Sequence, residues 1–302
     1  MSAFTQIDLS TLPYPGVIEA LSFEVILAEM LADLRQRDPA FTATVESDPA
    51  YKILEVAAYR ELLIRQRVND GCKAVMLAYS QGADLEQLGA FYGVARNVLE
   101  EGDPNAFPPR ATVMEGDASY RRRVQLALEG FSTAGPVGAY IFHALSVPQV
   151  KDVAVLGPND SEAIEPGEVK VYVVGIEPGE VLSEVVAAVA ARLNEDDVRP
   201  LTDQVEVIGA TRVFYNITAS IYTLQGPDPS VVLENVRAAI ATLAEASRVP
   251  GRDIPLSAIY AALHQPGVSR VDLVSPSADV EIEPHQVGEI DATTITDGGI
   301  GE

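Results

Sequence analysis

An internal repeat narrows the fold of this chain more than any other feature. Shifted by 118 residues against itself, the chain sets PQVKDVAVLGPNDSEAIEPGEV, beginning at Pro148, over PGVSRVDLVSPSADVEIEPHQV, beginning at Pro266, without a gap. Eight of the 22 positions are identical: Pro148/Pro266, Val150/Val268, Val153/Val271, Pro158/Pro276, Ile164/Ile282, Glu165/Glu283, Pro166/Pro284 and Val169/Val287. Each copy follows a short helix-forming stretch that contains a tyrosine, Tyr140 or Tyr260. The expected unit is a helix, strand, turn, strand module used twice. The perfect match of IEPGEV at Ile164 with IEPGEV at Ile176 is of another kind. The first leads into a strand and the second leads out of it into a helix, and Pro-Gly suits either corner.

Between the two copies, EVKVYVV alternates as a strand does, and EVLSEVVAAVAARLNEDD places Leu182, Val186, Val189 and Leu193 on one helical face. QVEVI and RVFYNITASIYTL alternate again, joined by Gly209-Ala210-Thr211, which reads as a hairpin connection. Asp228 and Pro229 open a helix with Val232, Val236, Ile240 and Leu243 inward. The order strand, helix, strand, strand, helix is that of a ferredoxin-like split unit. The expected class is α+β: a helical N-terminal third, then a mixed region in which that split unit is flanked by the two modules.

In the N-terminal third, the helix expected from Val17 to Arg35 carries two apolar stripes. Ile18, Leu21, Val25, Ala28 and Ala32 lie on one side, with Phe23, Leu27, Met30 and Leu34 nearly opposite. Each stripe asks for a partner, inside the domain or on another chain, which makes Ile18, Leu21, Val25, Phe23, Leu27, Met30 and Leu34 interface candidates. A longer helix from Pro49 to Tyr79, capped by Asp48, aligns Ile53, Ala57, Ile64, Val68, Cys72, Val75 and Tyr79, and Cys72 reads as a core residue. A proline-rich connection runs from Glu100 to Asp117. The expected organisation is a helical domain over 1–100, a connection with helices over 101–147, an α+β domain over 148–290, and a tail over 291–302 without a recognisable element.

Acidic residues outnumber basic ones 44 to 21, and a net charge of −23 repels phosphate backbones, which argues against nucleic acid as a ligand. The run Arg121-Arg122-Arg123 is the local exception, a solvated helix face or a contact with an acidic neighbour. One cysteine supports neither a disulfide framework nor a multi-cysteine metal site within a chain. No stretch approaches the apolar length of a bilayer span, so no membrane insertion is expected, and the N-terminus lacks the pattern of an export signal.

Motifs that carry chemistry are missing. His143, His264 and His285 fall in no metal-ligand spacing, and the first two occupy similar places in the repeated modules. GFSTAG at Gly130 is one residue too long for a nucleophile elbow and follows a helix, which discards Ser132. Glu195-Asp196-Asp197 and the pair Glu115 and Asp117 read as helix-end charge, and the glycosylation pattern at Asn216 falls within a strand. The absence of these motifs lowers the odds of catalysis, and no metal site is expected from the spacing.

Several long segments in order, AYRELLIRQRVNDGCKAVMLAYSQGADLEQLG, GDASYRRRVQLALEGFSTAGPVGAYIFHALS, VRPLTDQVEV and IPLSAIYAALHQPGVSRV, closely resemble the baseplate assembly protein J family of contractile-tailed bacteriophages and phage-tail-like bacteriocins. The resemblance runs from about Ile7 to Val287. It implies a structural component of the baseplate wedge, without catalytic residue or cofactor. The partners it implies are a second copy of the chain, another wedge protein joined through a helical bundle, and the sheath-initiator and hub proteins of the baseplate. It also implies a location in the baseplate of a virion or tail-like particle, assembled in the bacterial cytoplasm. A wall hydrolase of the tail would instead need an acid/base pair in a cleft, and a receptor-binding tail protein would be richer in aromatics than 6%.

Overall fold

The computed structural model describes residues 7–40, 46–132, 134–226 and 228–301. The chain divides into two compact units, residues 5–95 and residues 96–302.

In the first unit, α1 (Phe23–Arg37) starts at Ser22, whose Oγ accepts a hydrogen bond from the Val25 amide at 3.4 Å. The expected start at Val17 is therefore too early: Ile18 closes a turn onto Pro15 O at 2.9 Å, and Leu21 lies just before the helix. α2 (Pro49–Ala74) begins with Pro49 behind the Asp48 cap, whose Oδ1 accepts from the Ala50 amide at 2.8 Å. α1 crosses α2 where Ala58, with only a methyl group to hold it off, is completely buried beneath Ile26 and Leu27. Phe23, Met30, Leu31, Tyr51, Leu54 and Leu62 complete this small core. α2 ends at Ala74 and not at Tyr79, because the chain turns back through Met76 N to Lys73 O at 3.1 Å. That turn stacks the Tyr79 ring on Tyr14 at 5.0 Å. α3 (Gly82–Phe91) closes the unit.

The second unit opens with a two-stranded antiparallel ribbon, β1 (Val98–Glu100) and β2 (Val113–Met114). Then come α4 (Asp117–Leu126), α5 (Val137–Leu145), β3 (Val150–Leu156), β4 (Glu168–Gly175), α6 (Ser183–Leu193) and β5 (Gln204–Gly209). They build one three-stranded sheet in the order β3-β4-β5, antiparallel then parallel. Val171 and Val173 of β4 are buried against Val185, Val189 and Leu193 of α6, so the inward face of α6 begins at Val185, with the expected Leu182 exposed. β6 (Thr211–Thr223), α7 (Pro229–Ser247), α8 (Leu256–Leu263), β7 (Val268–Ser275) and β8 (Gln286–Ile300) build a second sheet in the order β7-β6-β8. Tyr215, Ile217, Ala219 and Ile221 alternate inward from β6 onto Val232, Val236 and Ile240 of α7 and Ile259 and Leu263 of α8.

The fold is thus α+β with a helical N-terminal region, but the expected split unit is not formed. β5 and β6 belong to different sheets. A reversal needs at least a two-residue loop, and only Ala210 separates these strands. Ala210 N still bonds Val173 O of the first sheet at 2.9 Å, whereas Thr211 N already bonds His285 O of the second at 3.1 Å.

The two copies of the repeat agree closely at the local level. Their strands begin at the equivalent positions Val150 and Val268, and again at Glu168 and Gln286. The same turn precedes the second strand in each: Glu168 N to Glu165 O at 2.9 Å, and Gln286 N to Glu283 O at 2.8 Å. Ile164 and Ile282 are both buried. What differs is the pairing. β3 lies directly beside β4, whereas β6 stands between β7 and β8. Residues 291–300, expected as a tail without an element, continue β8 in parallel register with β6, and Glu302 lies outside the described residues.

Candidate assembly surfaces

α2 presents an exposed apolar face. Ile53, Ala57, Ile64 and Val68, the stripe that sequence spacing singles out, points away from α1 and into solvent, with Ile53 69%, Ile64 65% and Val68 55% exposed. Val56, Tyr59 and Leu63 widen the patch, and Val75 extends it beyond the helix end. Ion pairs flank it: Arg65 Nη2 meets Glu61 Oε1 at 2.6 Å and Lys52 Nζ meets Glu55 Oε2 at 2.8 Å. An apolar area of this extent with a charged rim is characteristic of a contact surface. Cys72, expected in the core, is half-buried.

α1 divides its candidates. Leu27 is buried on α2, Phe23 and Met30 pack beside it, and Leu34 is half-buried. Val25, Ala28 and Ala32 are exposed on the opposite side. The segment before α1 is held by Asn69, which sequence reasoning passed over. Its buried amide accepts from the Glu19 N–H at 3.1 Å and donates to the Glu19 carbonyl at 2.9 Å. Nothing in the sequence singled it out, because Arg65, Gln66, Arg67 and Asp70 around it are polar as well.

The three arginines of α4 face different surroundings, since successive helical residues turn by about 100°. Arg123 is 3% exposed and forks onto Glu115, donating Nε to Oε1 at 3.0 Å and Nη2 to Oε2. Glu115 also accepts from Ser119 Oγ at 2.7 Å and from the Asn97 amide at 3.1 Å. Burial pushes the Glu115 carboxyl up, but these donors, Arg123 above all, outweigh it and hold the pKa below the ordinary value. Arg96 stacks 4.6 Å from the Tyr120 ring centre and pairs with Asp117 at 2.7 Å. Arg122 pairs with the buried Asp152 at 2.8 Å. Arg123 therefore has no face to offer a neighbour, and Arg122 and Arg121 are only part-exposed.

A further internal fastening, at Arg248, joins the two sheets. Its guanidinium donates to the carbonyls of Gly175, Ile176 and Glu177 at 2.7 to 2.9 Å and to Glu245 Oε2 at 3.0 Å. Lys151 reaches the same helix end and pairs with Glu245. Lys151 and Glu245 border a cleft of about 420 Å³ floored by Leu99, Leu145, Val150 and Ile176. Its cations already meet carboxylates, and the Glu115 carboxylate that accepts from Ser119 Oγ at 2.7 Å is also held by Arg123 and by the Asn97 amide.

The histidines serve structure. His143 Nε2 lies 3.1 Å from Gly130 O and Nδ1 lies 3.1 Å from Arg192 Nη2. Burial, with the Arg192 charge, pushes its pKa down. His264 caps α8, and the His285 ring lies 5.6 Å from Tyr172. Ser132 sits in a turn, its amide bonded to Glu129 O. Among the described residues no cluster of three or more His, Cys, Asp or Glu side chains is arranged to hold a metal, and no helix is long and apolar enough to cross a membrane.

A chain that holds buried charges such as Arg123, Glu115 and Asp152 in internal pairs, and which turns an apolar helix face outward, has the features of an assembly component. Three family models match it in order: the Baseplate J-like N-terminal domain over residues 46–103, the Baseplate J-like central domain over 132–209, and the Baseplate J-like protein C-terminal domain over 215–296. The chain belongs to the Baseplate J-like family. It is 43% identical to baseplate protein J of Escherichia phage P2 over 309 residues, an alignment that covers 98% of this chain and 99% of that protein. The break between the central and C-terminal matches falls at Ala210, where the backbone passes from one sheet to the other. A chain in the cryo-EM structure of the anti-feeding prophage (AFP) baseplate, 6-fold symmetrised, aligns with a TM-score of 0.42 and 16% identity, covering 61% of this chain and 44% of that one. A likeness of that degree carries no argument.

Proposed function

We propose that this chain is a structural component of the baseplate of a contractile tail. It assembles with a second copy of itself and another wedge protein, closes with its neighbours and the sheath-initiator and hub proteins into a six-fold ring, and rearranges when the sheath contracts. It has no turnover of its own. The observation that carries this reading is the outer face of α2, apolar over Ile53, Ile64 and Val68 although the opposite side of the helix already holds α1. A helix apolar on both sides is one layer of a larger bundle. Near full-length identity to baseplate protein J of phage P2 supports the same reading.

Deleting the gene and imaging the particles tests the role. Tails without baseplates, restored by the wild-type gene, are expected, and normal contractile particles from the deletion would overturn it. The polar flank of the α2 face and the ion-paired joint at Arg248 suit interfaces that must hold and later rearrange.

A further inference from the structure

We infer that the outer edge of β8 pairs with β8 of a second copy of this chain, the two strands running antiparallel about a twofold axis at Ile295. This rests on the reading of the chain as an assembly component and adds a specific contact to it.

β8 is the longest strand at 15 residues and stands at the end of the sheet. Among the described residues no strand pairs with its far side. The near end of that side is covered by Gly251, whose amide bonds Gln286 O at 3.0 Å, and residues 291–294 and 296–300 are exposed. Soluble proteins usually blunt such an edge with a short strand, lysine or proline. Residues 286–300 contain neither lysine nor proline. Asp291 and Asp297 instead enclose an uncharged run, Ala292-Thr293-Thr294-Ile295-Thr296, rich in β-branched residues.

The repeat shows what such an edge accepts. β4 is the counterpart of β8 and has a parallel neighbour in the equivalent register, since Gln204 N bonds Gly167 O as Thr211 N bonds His285 O. On its other side β4 carries the antiparallel strand β3. The corresponding side of β8 is the open one, because β7 pairs with β6 instead.

The sequence of the edge fits a second copy of itself. Thr294-Ile295-Thr296 reads the same in both directions. With the axis at Ile295, Thr294 faces the partner's Thr296, Ile295 faces the partner's Ile295, and Asp297 faces the partner's Thr293. Thr–Thr pairs are favourable across antiparallel strands. Moving the axis to Thr294 would set Asp291 against the partner's Asp297, a like-charge clash. Ile295 already packs on the second core, so the isoleucine pair would continue the inner face of the sheet. Thr296 Oγ1 lies 3.0 Å from Ser220 Oγ, so a threonine pair would extend that hydroxyl row. Gathering aspartates from two acidic chains makes the contact tighten with added salt.

The test uses the full chain with two double variants, read by sedimentation of the purified protein and by the yield of complete tails. T294K/T296K sets lysine against lysine across the twofold and is expected to weaken dimerisation about tenfold or more and to lower tail yield. T294K/T296E sets lysine against glutamate in the same register and is expected to restore both. Thermal unfolding of both variants like the wild type shows that the fold is intact. Restoration in either assay supports the pairing. If T294K/T296K assembles like the wild type, or T294K/T296E fails as badly, β8 does not meet β8 and the inference falls, while the baseplate role stands. Normal particles from the gene deletion would remove both.

Discussion

Ile64→Asp separates an assembly surface from a core position. In the isolated chain Ile64 is 65% exposed, so the introduced carboxylate meets water and stability should move by no more than about 0.5 kcal/mol. If partner helices cover this face, the wild-type side chain gains about two-thirds of the roughly 1.5–3 kcal/mol of full burial, or about 1–2 kcal/mol. The variant loses that gain and must also desolvate a charge or hold the interface open to water, at a cost of about 2 kcal/mol or more. A total of about 4 kcal/mol is about a thousandfold in affinity. The contrasting variant is Leu27→Asp, which places the same charge between α1 and α2, where Leu27 is buried, and should destabilise the first unit before any partner binds. Circular dichroism melts and co-purification with the other baseplate proteins measure both. An Ile64→Asp chain that folds normally and assembles with undiminished affinity would refute the reasoning. So would one that loses its own fold.

Four further outcomes follow from the internal contacts. Arg123→Met leaves Glu115 buried without its main partner and should cost about 3–5 kcal/mol in denaturant unfolding, and a loss under about 1 kcal/mol would contradict the buried pair. Because the folded-state pKa of Glu115 lies below the ordinary 4.5, its contribution is complete above that pH and is lost as pH falls through the folded pKa; Glu115→Gln should flatten this acid limb. Arg248→Ala strips donors from three carbonyls at the sheet junction and should cost about 2–4 kcal/mol, with Arg248→Lys recovering only part because one ammonium does not reproduce the guanidinium fork. Asn69→Ala should cost about 1–2 kcal/mol and speed hydrogen exchange at the Glu19 amide, whereas unchanged exchange would show that the segment is held by something else.

The parts legible in the sequence were those set by local chemistry. The repeat showed that its two copies share a local fold, and their strands do begin at equivalent positions, because the Ile-Glu-Pro turn and the valines that follow specify their own conformation. Which strand lies beside which was not legible: β6 takes the place next to β7 that the repeat assigns to β8, a non-local choice. On α2 the apolar periodicity was plain but its direction was not, since the helix is apolar on two sides and Ala58, the residue that lets α1 approach, looks like any helix former. The arginine run looked uniform, yet only the helical turn decides that Arg123 points at Glu115. The Gly298-Gly299 pair lies in the tail that offered no recognisable element. It is a bulge instead, because a Cβ at Gly298 would lie 2.8 Å from the Tyr222 ring, and only glycine lets the strand pass over it.

The central claim is that the chain acts by being built into a baseplate through the outer face of α2. A cryo-EM reconstruction of the assembled tail tests it most directly. The account predicts the chain in the baseplate, with Ile53, Ile64 and Val68 buried beneath helices of other chains. Complete tails from which the chain is absent, or a chain present with that face open to solvent, would contradict it.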